Sequence, residues 1–67
     1  MKITLNNKEE VFDGSMLTIN ELLQLKNYTF KMLVIKINGT LVKKNEYNIA
    51  TVKDGDDVMV LHLISGG

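Results

Sequence analysis

A chain of 67 residues makes one domain with one small core, which buries only about 60% of its unfolded surface, so nearly every apolar residue is needed. With no cysteine and a single histidine, it lacks the side chains for a disulfide, a thiolate nucleophile, a cysteine zinc site, a catalytic triad or a metal cage. Eight basic and eight acidic side chains cancel, so no net field favours nucleic acid or a membrane surface.

Met1, Ile3 and Leu5 alternate with Lys2 and Thr4, which predicts a half-buried strand. Asn6-Asn7 is a turn signal, and Lys8 to Phe12 returns as a second strand, completing a hairpin. Glu9 and Glu10 mark it as an edge, where charge discourages pairing with other chains. Asp13-Gly14-Ser15 breaks the run.

The helix signal is the clearest local one. Thr18 and Glu21 fit a capping box, and Leu17 and Leu22 stand where a hydrophobic staple places them. Ile19, Leu22 and Leu23 follow helical spacing. Lys26 falls near the negative end of the dipole, and Asn27 is the stop. Two to three turns of this kind need a sheet to pack on.

Leu33, Ile35 and Ile37 alternate with Val34 and Lys36, again a strand. Asn38-Gly39 is the strongest short hairpin signal, since a type I′ turn needs positive φ at both positions, and Thr40 to Val42 returns. Lys43 to Tyr47 is polar and connecting, with Tyr47 and Ile49 expected to tuck an irregular segment or short 3₁₀ turn onto the core. The triplets Asn27-Tyr28-Thr29 and Asn38-Gly39-Thr40 read as coincidental rather than as glycosylation acceptors. Asp54-Gly55-Asp56 is a tight turn into the last strand. No repeat, linker or low-complexity stretch divides the chain.

Val58 to Ile64 is a seven-residue apolar run, too short for a buried helix and suited to a strand at the centre of a sheet. The predicted order is strand, strand, helix, strand, strand, strand. One helix covers one face of a five-strand sheet, giving a two-layer α+β domain over residues 1–67. With first and last strands parallel and central, this is the ubiquitin-like β-grasp arrangement.

After that strand come only Ser65, Gly66 and Gly67, expected to form an extended tail. Residues without side chains can enter a narrow channel and lie extended beside another backbone, and the Gly67 carboxylate is the least hindered acyl group the chain can present. The plainer reading is a frayed end. On the last strand, Val58 and Val60 are expected to face the helix and Met59, Leu61 and Leu63 to face outward, where they would dock a partner. The alternative is that the segment from Tyr47 to Val52 covers that second face. Methionine there suits a surface that meets several partners. His62 reads as packed or partly exposed near the strand end. Asp54, Asp56 and Asp57 read as solvated carboxylates of a turn, since calcium loops need longer spacing. Lys31, Lys36, Lys43 and Lys44 read as a weakly basic side, in the plainer reading solvated and in the alternative one that steers an acidic partner.

The run Ile-Asn-Gly-Thr-Leu-Val from residue 37, then Asp54-Gly55-Asp56, an apolar strand and Gly66-Gly67 together resemble the ThiS-type sulfur carrier proteins of thiamine biosynthesis, in the ubiquitin-like ThiS/MoaD family. Length and element order extend the resemblance over the whole chain. It departs at Lys43-Lys44 and Tyr47, where members often carry Pro-Arg and a tryptophan. The resemblance implies a carrier rather than an enzyme, with no cofactor of its own. An ATP-dependent adenylyltransferase would activate the Gly67 carboxylate, a sulfur donor enzyme would convert it to a thiocarboxylate, and a thiazole synthase would receive the sulfur. It leaves open a molybdopterin synthase small subunit and a ubiquitin-like protein modifier. Without a signal peptide or a membrane-length apolar run, the expected setting is the cytoplasm, with the free chain a monomer.

Overall fold

Two turns with left-handed backbone set the hairpins. In the computed structural model, which describes residues 1–29 and 32–62, Asn6 and Asn7 have φ of 51° and 68°, and Asn38 and Gly39 have 51° and 83°. The first pair joins β1 (Lys2–Leu5) to β2 (Lys8–Val11), with Leu5 opposite Lys8. The second joins β4 (Leu33–Ile37) to β5 (Thr40–Val42), with Ile37 opposite Thr40. Positive φ at both turn residues matches the strand twist, so each hairpin closes in two residues.

Between the hairpins lies α1 (Ile19–Leu25). Its capping box forms as the sequence predicts: Thr18 Oγ1 accepts from the Glu21 N–H at 3.1 Å, and Glu21 Oε1 accepts from the Thr18 N–H at 2.9 Å. The remaining orphan donors of the first turn go elsewhere. The Ile19 N–H donates to the Ala50 carbonyl at 2.9 Å and the Asn20 N–H to the Tyr47 carbonyl at 3.0 Å. Asn27, at φ 57°, ends the helix; its N–H donates to the Gln24 carbonyl and that of Tyr28 to Leu23, the paired closure of a Schellman motif. The Lys26 ammonium does not stay over the helix terminus. It crosses to Glu10 on β2 at 3.0 Å, tying the helix end to the sheet edge.

The last strand, β7 (Asp57–His62), inserts between the hairpins to give the order β2-β1-β7-β4-β5. It runs parallel to β1 and antiparallel to β4, so the sheet is mixed, as expected. Ile3, Leu5, Ile35, Val58 and Val60 line its inner face and bury Ile19, Leu22 and Leu23 of the helix. The half-buried Leu17 packs on this core from the staple position.

Two features depart from the sequence reading. A second ladder pairs β3 (Met16–Thr18) with β6 (Thr51–Lys53), flanking the helix start and burying Val52 completely. Three-residue strands show too little alternation to be recognised, and their pairing spans more than thirty residues. In the segment before β6, a 3₁₀ turn (Lys44–Glu46) is present and Tyr47 packs on the core, but Ile49 is 74% exposed. Both the Ile49 and Ala50 N–H groups fold back onto the Glu46 carbonyl. That turn brings Ala50 against the core instead, with its carbonyl on the helix start.

Side-chain amides finish what the backbone of β7 cannot. Its ladder with β1 ends early, because the chain turns away at Asn6. The Asn6 side chain then takes over: Oδ1 accepts from the Val60 N–H at 2.8 Å and Nδ2 donates to the Val60 carbonyl at 3.1 Å. It stands in for a peptide group of the missing strand. Asn38 secures the other end of β7, accepting from the Asp57 N–H at 2.8 Å and donating to Asp56 Oδ1 at 3.0 Å.

Two stability predictions follow from this wiring. Asn6→Gly keeps a residue suited to positive φ but strands both Val60 polar groups, and should cost roughly 1–3 kcal/mol in urea unfolding. Thr18→Ala should cost about 1 kcal/mol by the same measurement, through loss of the cap.

Candidate functional site

The site is built from the exit of β7. Val58 is fully buried and Val60 nearly so, whereas Met59 is half-buried and Leu61 is 49% exposed. The strand therefore faces as its alternation predicts, with Met59 and Leu61 on the surface away from the helix. His62 is exposed at the end of the strand, opposite Leu33. The expected extended tail of Ser65, Gly66 and Gly67, and the outward placement of Leu63, lie outside the described residues.

Neighbouring strands enlarge this outer face. Register places Val34 beside Leu61, and Lys36 between Met59 on one side and Leu41 on the other. Leu41 is 55% exposed. The result is an apolar surface of Val34, Leu41, Met59 and Leu61 with one ammonium among them. Segment 47–52 does not cover it: its Tyr47 and Ala50 carbonyls bond the helix start, and Val52 is in the core on the helix side. Val34, Lys36 and Leu41 belong to the site by register, which could have been anticipated only by knowing that β4 lies next to β7.

The turn before β7 works differently from its predicted role. Asp56 is not a solvated carboxylate but is buried, at 7% exposure. Its Oδ2 accepts from the Lys53 N–H at 2.9 Å and its Oδ1 from the Asn38 amide. Asp54 Oδ1 accepts from the Lys2 N–H at 2.7 Å, and Asp57 is exposed on the outer face. A carboxylate is drawn inward here because it closes the turn and bridges it to the Asn38 hairpin with charge-assisted bonds. Among the described residues no cluster of His, Asp or Glu could hold a metal ion.

Beyond β5, Lys43 and Lys44 border a groove lined by Tyr28, Met32, Leu33, Leu41 and Tyr47. Burial pushes the Tyr47 phenol above its ordinary value of 10.0, so it is neutral at physiological pH. Lys31, expected on the same side, lies outside the described residues. No helix among the described residues is long and apolar enough to cross a membrane.

Among the described residues, this surface is an apolar sheet face beside the end of β7. Comparisons with known proteins identify the family. The model of the ThiS family matches residues 2–67. The crystal structure of a thiamine biosynthesis protein (ThiS) from Geobacter metallireducens is similar over 100% of both chains, with 35% identity and a TM-score of 0.86. A solution NMR structure of a thiamine biosynthesis protein from Geobacter metallireducens gives 35% identity and a TM-score of 0.77 over 100% of this chain and 88% of that one. Curated proteins give no significant match. The five-strand mixed sheet with one helix is the ubiquitin-like β-grasp fold of these neighbours, and the chain belongs to the ThiS family.

Proposed function

We propose that this protein is a sulfur carrier of thiamine biosynthesis whose working atom is the Gly67 carboxyl carbon. Membership of the ThiS family, together with likeness to thiamine biosynthesis proteins, supports a sulfur-carrier role in thiamine synthesis. What carries the finer reading is a central strand fixed on both sides by β1 and β4 together with the pair Gly66-Gly67 in the sequence that follows it.

The chemistry proposed needs little from the carrier beyond access. A carboxylate is a poor electrophile. Its oxygen attacks the α-phosphorus of ATP on an adenylyltransferase, pyrophosphate leaves, and an acyl adenylate results. Hydrosulfide delivered by a donor enzyme then attacks the acyl carbon, AMP leaves, the proton of the attacking sulfur is lost, and the terminus becomes a thiocarboxylate. That sulfur passes to a thiazole synthase. Glycine at the last two positions lets the terminus enter a partner's channel without a Cβ to clash. No cysteine competes for the sulfur. Ser65, Gly66 and Gly67 act as the tail in this reading, and Met59, Leu61 and Leu63 as part of the surface that seats the partner.

The test is intact-protein mass spectrometry after incubation with ATP, the purified adenylyltransferase from the same organism and a sulfur source. The expected species has one terminal oxygen replaced by sulfur; its absence under conditions where a known carrier is converted would overturn the reading. Deleting Gly67 should abolish that species and leave the thermal midpoint unchanged within error, because in this reading the terminus is a handle for partners and not part of the fold. Leu61→Arg should reduce adenylate formation at sub-saturating carrier at least tenfold with an unaltered circular dichroism spectrum, by placing a charge where apolar area is buried.

A further inference from the structure

We infer that Lys36 selects the partner: the surface that docks on the outer face presents a carboxylate to this ammonium. The inference rests on the carrier reading above and adds the chemistry of the partner's contact. Lys36 is exposed at the middle of β4, flanked across the strands by Met59 and Leu41, with Val34 and Leu61 one pair further along. The ion pairs among the described residues are Lys2 with Glu9, and Lys26 with Glu10. The first of these neutralises the outer face at the β1–β2 end; the second holds the helix to the sheet. Lys36 has no such partner among the described residues. The nearest outer-face carboxylate along β7, Asp57, stands diagonally rather than opposite, two residues before Met59, and forms no ion pair with it.

A partner that covers Met59 and Leu61 must also cover Lys36. An ammonium buried without a counter-charge is strongly disfavoured, whereas a facing carboxylate restores the hydrogen bonds that water supplied. A partner with an apolar or cationic group at that point is therefore rejected, and one with Asp or Glu there is accepted and drawn in at long range. The same residue gives the free chain a reason not to self-associate through this face, since two copies would bring Lys36 near its own kind.

Stopped-flow association with the purified adenylyltransferase, measured against ionic strength, tests this. Lys36→Glu should weaken binding at least tenfold at low salt, Lys36→Arg should stay within about threefold of the parent, and Lys36→Met should lose the salt dependence of the association rate. Binding of Lys36→Glu within twofold of the parent, while the parent still yields thiocarboxylate, overturns the inference and leaves the carrier reading standing. If the parent neither binds nor is adenylated, both fall together. Asp57→Asn is the internal control: a loss equal to that of Lys36→Glu would mean that Lys36 acts within the chain, and would also overturn the inference. All variants alter exposed side chains, and an unchanged thermal midpoint confirms that folding is not what was measured.

Discussion

Everything in this molecule depends on one strand being held from both sides. β7 has a full antiparallel partner in β4 but only a short parallel one in β1, because β1 must turn back at Asn6 to form its hairpin. A central strand left half-paired would carry unsatisfied backbone groups into a part-buried position. The Asn6 amide supplies a donor and an acceptor to Val60 in the geometry of a peptide group, and Asn38 with Asp56 does comparable work at the strand's start. Two asparagines that the hairpins require for their positive φ are thus also the residues that clamp the strand leading to the site. Turn formation and site placement cannot vary independently here.

This coupling lets so small a domain hold its central strand in place. Its core is a single layer of aliphatic side chains between one sheet face and a helix of seven residues. Such a helix is too short to be stable alone, and its first-turn donors are met partly by Thr18 and partly by the carbonyls of Tyr47 and Ala50. The irregular segment from Tyr47 to Ala50 therefore holds the helix start, and its continuation buries Val52. Polar closure at the helix and at β7 compensates for the limited apolar area that 67 residues can hide.

The parts of the fold visible in the sequence were those with local chemistry. Thr18 and Glu21, Asn38-Gly39 and the alternation of β1 and β4 each carry their own physical cause within a few residues. The parts hidden were those set by distant pairing. β3 and β6 are three-residue strands that exist because Met16 and Lys53 meet, and no window of sequence records that. The burial of Asp56 was invisible for the same reason, since its carboxylate is needed by Asn38 in another hairpin. At the site, the outward facing of Met59 and Leu61 was readable from the period of two in β7. The contribution of Val34, Lys36 and Leu41 was not, because it requires the order in which strands lie side by side.

The same single helix accounts for the uncovered outer face itself. A five-strand sheet has two faces, and one helix with its flanking ladder can cover only one. β7, lying at the middle of the sheet, has apolar residues on both sides, so Met59 and Leu61 are left without internal cover. An apolar surface of this kind, exposed to water, invites indiscriminate association unless something interrupts it. Lys36 does so at the point where Met59 and Leu41 would otherwise join, keeping the patch hydrated when the chain is alone. The residue that makes the exposed face tolerable in solution is also the one whose desolvation a partner must answer with opposite charge. Solubility and selectivity on this face are consequently one property, set by where a single ammonium falls in the register of β4.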